Sequence, residues 1–261
     1  MKYTLAISPC PNDTFMMHAL LKGHVHREGM EFDVSFLDIQ ELNAALSEGR
    51  FDFCKVSSIA ALDYSSEYQL CSAGAALGYG VGPLLLKHPK AAPLTAYSSV
   101  LCPGANTTAC ALFGYFYPEA KSAVRHRVFS DIMPALERAE ADFGVVIHEG
   151  RFTYQAYGLE RVADLGAMWE STCKLPLPLG CIVARRTIHG SVRKDFEDLV
   201  RSSITYAYQH REEVSHTMRQ YAQELGSEAL WSHVDLYVNQ WSLDLGAEGK
   251  AAFEKLKSLR R

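Results

Sequence analysis

Between Phe36 and Phe53 the chain spells a pattern that it repeats between Phe129 and Phe143. Phe36-Leu-Asp38-Ile39 leads to Ala45-Leu46 and, seven residues after Ala45, to Asp52-Phe53. Phe129-Ser-Asp131-Ile132 leads to Ala135-Leu136 and, again seven residues after the alanine, to Asp142-Phe143. The second copy is three residues shorter, about one helical turn. Each copy reads as strand, short helix, strand. Repeated within 261 residues, such a unit predicts two α/β lobes of similar build. The expected division puts residues 1–88 and 181–261, with the C-terminal helices, in a first lobe and residues 89–180 in a second.

The repeat also pairs two strand ends, and open α/β sheets bind ligands beyond the carboxyl ends of their strands. One strand, Phe51–Val56, ends in Lys55-Val56-Ser57; the other, Phe143–Ile147, ends in His148-Glu149. Facing each other, two such ends line a cleft. A histidine there can take or give a proton near neutral pH, although it also reads as a side chain bonded to a loop. Glu149 follows it on the strand, so the two side chains are expected on opposite faces.

Two turns share a design. Strand Tyr3–Ile7 runs into Ser8-Pro9-Cys10-Pro11-Asn12-Asp13, where the prolines end the strand and Asn12 or Asp13 is placed to cap helix Thr14–Lys22. Strand Tyr97–Leu101 runs into Pro103-Gly104-Ala-Asn106-Thr107-Thr108 and helix Ala109–Tyr117. Helix starts of this kind suit an anion, and Ser8 and Asn12 are candidate ligand contacts; either threonine also reads as an ordinary cap. The glycines from Gly74 to Gly82 imply close backbone approach and do not form a dinucleotide-binding helix start. Trp169 reads first as core. Ser191–Arg261 reads as helices Val192–Gln209, Arg211–Leu225, Glu228–Leu236 and Ala247–Leu259 with solvated charged faces.

Composition narrows the function. A net charge of −4 without a basic stripe argues against nucleic acid as a partner. The ten histidines show no metal-ligand spacing, so no metal is expected. Seven cysteines, an odd number without a CxxC pair, read as reduced thiols. No apolar run approaches the ~20 residues of a membrane span, and no export signal precedes the first strand. A cytoplasmic protein acting on a small molecule is expected; oligomeric state is left open. Cys10 has no histidine near it in sequence and is expected to be a packed thiol rather than a nucleophile.

Several of these segments occur together in a known family. Ser8-Pro-Cys-Pro-Asn-Asp-Thr-Phe15, Lys55-Val-Ser57, Gly78-x-Gly80-x-Gly82-Pro83, Pro103-Gly-x-x-Thr-Thr-Ala109 and Ile147-His-Glu149 are followed by Asp164-Leu-Gly166, Trp169-Glu170 and Pro178-Leu-Gly180. The set resembles the 1,4-dihydroxy-6-naphthoate synthases, the cyclic dehypoxanthinyl futalosine lyases of the futalosine route to menaquinone. It extends from about residue 3 to residue 250, and the opening run and Ile-His-Glu are its specific parts.

The resemblance implies a two-lobed type II periplasmic-binding-protein-like α/β fold with the substrate cleft between the lobes. It implies a carbon–carbon lyase that converts cyclic dehypoxanthinyl futalosine to 1,4-dihydroxy-6-naphthoate and dihydroxyacetone, with no cofactor. His148 is then the catalytic base, and Asn43, Lys55, Val56, Ser57, Thr107, Thr108 and Ala109 contact substrate. The alternatives are chorismate dehydratase, of the same fold and pathway, and a non-catalytic small-molecule-binding protein.

Overall fold

The computed structural model of the chain describes residues 1–148, 150–221 and 226–259. Glu149 and the expected helix end at Leu225 lie outside these residues. The chain opens with β1 (Lys2–Ile7), α1 (Pro11–Leu21), β2 (Glu31–Phe36), α2 (Ile39–Ser47), β3 (Phe53–Ser57) and α3 (Ser58–Asp63). The short β4 (Tyr68–Leu70) and β5 (Ala76–Gly78) precede β6 (Leu84–Lys87). Next come β7 (Val100–Cys102), α4 (Thr108–Phe116), β8 (Val124–His126), α5 (Phe129–Glu137) and β9 (Phe143–Val146). The single turn α6 (Gly150–Thr153), β10 (Glu160–Asp164) and α7 (Leu165–Cys173) lead to β11 (Leu177–Arg185). Helices α8 (Gly190–Gln209), α9 (Arg211–Tyr221), α10 (Ser227–Tyr237), α11 (Gln240–Leu243) and α12 (Gly246–Ser258) follow.

Two sheets result, with the same plan. The first has the order β2-β1-β3-β11-β4, with β5 also paired to β11; the second has the order β8-β7-β9-β6-β10. In each, three parallel strands are followed by an antiparallel fourth. The fourth strand is the crossing strand. β6 pairs with β9 and β10, so the chain enters the second lobe before Leu84 rather than after residue 88. β11 pairs with β3 from Gly180 and with β5 from Leu177, so the return also comes earlier than residue 181.

The sequence repeat is real in its second half and accidental in its first. Helices α2 and α5 both have nine residues, so no turn is missing. Ala45 and Ala135, Leu46 and Leu136, and Asp52 and Asp142 hold equivalent places, which pairs Ile39, not Phe36, with Phe129. Asp38 caps α2 in a capping box with Glu41, whereas Asp131 lies inside α5, whose cap position is Val128. The aspartates at the strand entrances correspond atom for atom. Asp52 Oδ2 accepts the Thr4 N–H at 2.9 Å and its hydroxyl at 3.0 Å. Asp142 Oδ2 accepts the Ser99 N–H at 2.9 Å and its hydroxyl at 2.8 Å.

Both sheets are covered on two faces, which is why Phe53, Cys54 and Val56 are all buried. On one side of the first sheet Phe53 stacks on Phe196 of α8, with ring centroids 4.0 Å apart. On the other side lie Leu42 and Leu46 of α2 and Phe253 of α12. The second sheet holds Phe113 and Trp169 on one face and Ile132 and Leu136 on the other. Trp169 is thus core, its Nε1–H donating to the Leu175 carbonyl at 2.9 Å. Gly82 has φ +132°, and a methyl there would lie 2.7 Å from Gly166 Cα, so the glycine passage is a close backbone crossing.

Candidate functional site

The first wall of the cleft begins with the alternation of β3. Lys55 and Ser57 share a face, and Val56 between them turns into the core behind the sheet. For that reason Val56 does not line the cleft, contrary to expectation. The Lys55 ammonium is buried, and burial of a cation requires compensation. Its Nζ lies 2.7 Å from Asp13 Oδ1 and donates to the Gly74 carbonyl at 3.0 Å. Asp13 also accepts the Ser8 hydroxyl at 2.6 Å and Asn12 Nδ2 at 2.8 Å.

This arrangement revises two expectations. Neither Asn12 nor Asp13 caps α1: the cap position is Cys10, Pro11 starts the helix, and both side chains belong to its first turn. The Ser8–Asp13 turn also carries its own carboxylate, already neutralised by Lys55, so it is not a seat for a substrate anion. Asn43 is likewise absent from the cleft lining. Its amide holds Ser57 in place, accepting the Ser57 N–H at 2.9 Å and donating to the hydroxyl at 3.0 Å, and reaches the Asn106 carbonyl of the other lobe at 3.1 Å.

The second wall is built from a helix start and a turn. Thr107 caps α4 by accepting the Cys110 N–H at 3.2 Å, and its hydroxyl donates to the Gly104 carbonyl at 2.7 Å. The Thr108 hydroxyl donates to the Leu179 carbonyl on the crossing strand at 3.0 Å. Both threonine side chains are therefore occupied. The first backbone N–H groups of α4, at Thr108 and Ala109, have no acceptor within a helix that starts there, and they sit at its positive end. Gly104 has φ +151°, and a methyl there would strike the Gln40 side chain across the cleft.

His148 lies beyond the end of β9 rather than on it, in a turn with φ +53°, a left-handed conformation that non-glycine residues seldom adopt. The strand argument for opposite faces of His148 and Glu149 does not apply to such a turn. The imidazole crosses to the first lobe. Its Nδ1 is 3.5 Å from Cys10 Sγ, and its ring packs 4.8 Å from that of Phe129. The histidine partner that Cys10 lacks in local sequence is supplied from the far lobe.

A second imidazole was hidden among the C-terminal helices. His233, on the apolar face of α10 with Leu230, Val234 and Tyr237, is buried in the cleft floor. The only available sign was its place in that spacing, where an apolar residue is expected. The Asn12 amide nitrogen donates to Asp13, which turns its Oδ1 toward His233, where it accepts from Nε2 at 2.9 Å. Burial first, then the nearby His148 and Lys55, pushes the His233 pKa well below the usual value and keeps the ring neutral. The two imidazoles lie nearly parallel, at 10°, with centroids 6.2 Å apart.

The cleft so formed holds about 670 Å³ including its mouth. Ser8, Asn12, Lys55, Ser57, Thr107, Thr108, Ala109 and His148 all line it, joined by Asp13, His233 and Tyr237. The profile of a family described as menaquinone biosynthesis matches residues 3–260. The chain belongs to that family. Within it, the chain is 41% identical over 254 residues to the 1,4-dihydroxy-6-naphthoate synthase of Thermus thermophilus, covering 97% of this chain and 91% of the relative. It is 39% identical to the synthase of the same name from Streptomyces coelicolor, covering 97% and 90%. A crystal structure of the Archaeoglobus fulgidus protein AF1704 superimposes with a TM-score of 0.91 at 30% identity, over 99% of this chain and 96% of that one. A Candida albicans protein with the generic periplasmic binding protein fold matches at TM-score 0.72 and 10% identity, over 100% and 90%. This member of the menaquinone-biosynthesis family thus has the two-lobed fold that its sequence resemblance implied. Among the described residues no helix is long and apolar enough to cross a membrane.

Proposed function

We propose that the chain is a carbon–carbon lyase that converts cyclic dehypoxanthinyl futalosine to 1,4-dihydroxy-6-naphthoate and dihydroxyacetone, with His148 as the base. The observation that carries this reading is the placement of His148 in the cleft, opposite a fixed polar wall, in a chain some 40% identical to two synthases of that name. A neutral imidazole removes a proton from the oxygenated spiro-sugar part of the substrate, and the electrons cleave the carbon–carbon bond. Aromatisation of the new ring drives the step, so proton transfer and positioning suffice without an electron-sink cofactor. Ser8, Asn12, Lys55 and Ser57 face the substrate from one lobe; Thr107, Thr108 and Ala109 face it from the other. The free N–H groups at the start of α4 are the seat for the substrate carboxylate, a role that the neutralised Ser8–Asp13 turn leaves to them.

Closure of the two lobes on substrate excludes water and brings His148 to the reacting atom. The Cys10 contact already links the base to the opposite wall. We place the protein in the cytoplasm, in keeping with seven unpaired cysteines. Incubation of the purified protein with cyclic dehypoxanthinyl futalosine, followed by naphthoate absorbance, tests the function. Failure to form naphthoate, or formation of an enolpyruvyl product from chorismate instead, refutes it.

A further inference from the structure

Away from the cleft, where the end of α1 packs on α9, three metal-ligating side chains converge. His18 is fully buried in α1, whereas His24 and Glu213 are partly exposed. The convergence is set by a tight reversal after α1. Gly23 takes φ +76°, and the Val25 N–H donates back to the Ala19 carbonyl at 3.1 Å, which brings His24 over His18. Glu213, in the first turn of α9, places Oε1 2.8 Å from His24 Nε2 and 3.3 Å from His18 Nε2. The three ligand atoms all lie within 4.8 Å of one another.

His18 Nε2 is the informative atom. It is buried and makes no hydrogen bond, because the carboxylate oxygen 3.3 Å away lies off the ring's donor axis. The other nitrogen, Nδ1, is 2.9 Å from Thr217 Oγ1, a hydroxyl able to accept its proton and so leave a lone pair on Nε2. An acceptor lone pair beside a carboxylate is unfavourable unless a cation lies between them. A tetrahedral zinc ion, about 2.0–2.1 Å from its nitrogen and oxygen ligands, separates them by about 3.3 Å and sets each roughly 35° off the other's bond axis. The His18–Glu213 pair already has that separation. His24, on an exposed turn, has to match it to both, withdrawing ~0.5 Å from Glu213 and closing on His18 by up to ~1.5 Å.

The surroundings orient these ligands as partners of metal ligands do. The Tyr206 hydroxyl donates to Glu213 Oε2 at 3.1 Å, and its ring stacks on His24 with centroids 4.7 Å apart at 14°. We propose that His18, His24 and Glu213 bind a divalent transition metal of the zinc type, with solvent in the fourth position, and so tie α1 to α9. No ligand spacing in the sequence announces the site, because its residues come from a helix, the turn after it and a distant helix. The metal braces α1 at the end opposite Asn12 and Asp13.

The test uses the full chain, stripped of metal with a chelator and titrated with zinc by calorimetry and with cobalt(II) by visible absorption. One equivalent should bind saturably, cobalt should show tetrahedral absorption, and zinc should raise the unfolding temperature. His24→Ala and Glu213→Gln, both at partly exposed positions, should each weaken binding by about tenfold or more and abolish the thermal shift. Their far-ultraviolet dichroism should match the wild type. Absence of saturable binding, or a smaller loss in either variant, overturns the site. Naphthoate formation is not the readout, so the proposal stands or falls independently of the catalytic one.

Discussion

In the first lobe Asp52 clamps Thr4, and in the second Asp142 clamps Ser99 with matching hydrogen bonds. Beyond these clamps the two strands part company. β3 carries Lys55 and Ser57 on the strand itself, Lys55 paired with Asp13, which also holds Ser8 and Asn12, and Ser57 held by Asn43. β9 stops at Val146, and His148 occupies a strained turn and touches a thiol from the opposite lobe. One wall is therefore a fixed charge pair, and the other is a proton carrier on a turn. A duplicated frame keeps the strand entrances alike and leaves the exits free to take different chemistry.

The largest test of that contrast is His148→Asn. Turnover should fall by about 10²–10⁴-fold with thermal stability retained. Near-normal turnover in a folded variant would remove the proton carrier from the second wall. Next is the fixed pair: Lys55→Met leaves the Asp13 carboxylate buried without its cation, a loss of about 3–5 kcal/mol in urea unfolding. Adding Asp13→Asn should recover much of that stability without restoring activity. If Lys55→Met costs less than about 1 kcal/mol, the first wall is not rigid in the sense argued.

The matched clamps give a smaller effect and a direct comparison. Asp52→Ala and Asp142→Ala should each destabilise by about 1–3 kcal/mol, and by similar amounts, because each strands an N–H and a hydroxyl. A clear inequality between them would show that the frames are not equivalent. The cleft floor adds a pH dependence. Burial holds the His233 pKa well below 6.5 in the folded chain, while the unfolded chain takes up the proton near its ordinary value. Stability is therefore full above that value and declines as pH falls below it, by about 1.4 kcal/mol per pH unit until the folded pKa is reached. His233→Gln should flatten that part of the stability–pH curve; an unchanged slope would contradict the neutral ring. The smallest effect is expected for Cys10→Ser, whose hydroxyl can still reach the imidazole. A fall in turnover of about tenfold at most is consistent with positioning, and a loss matching that of His148→Asn would make the thiol a reactant.

The parts of the site visible in sequence were those carried on a single element. Lys55 and Ser57 are placed at a strand end by the repeat and at the substrate by the resemblance, and strand alternation, applied strictly, excludes Val56. The equivalent Ala-Leu and Asp-Phe pairs reveal two similar lobes, because helix packing and strand entry impose them locally. The Phe-x-Asp match ahead of them carried no such constraint and misled the alignment by a turn. Long-range pairs left no trace. Cys10 and His148 are 138 residues apart, and Asn12 and His233 are 221 apart, so only the folded sheets bring them together. His233 reads as one more residue of a charged helix until its apolar neighbours are counted.

The crossing strands also order events at the ribosome. Every strand of the second sheet lies between Leu84 and Asp164, so that sheet has all its members before the first one does. The first sheet has β1, β2 and β3 in hand by Ser57 but lacks its antiparallel fourth strand until Leu177–Arg185 emerges. At ~5–20 residues per second that interval lasts roughly 5–25 s. During it, the edge of β3, bearing the lysine and serine of the future cleft, has no neighbour on one side. The lobe that the chain begins first is the one it finishes last.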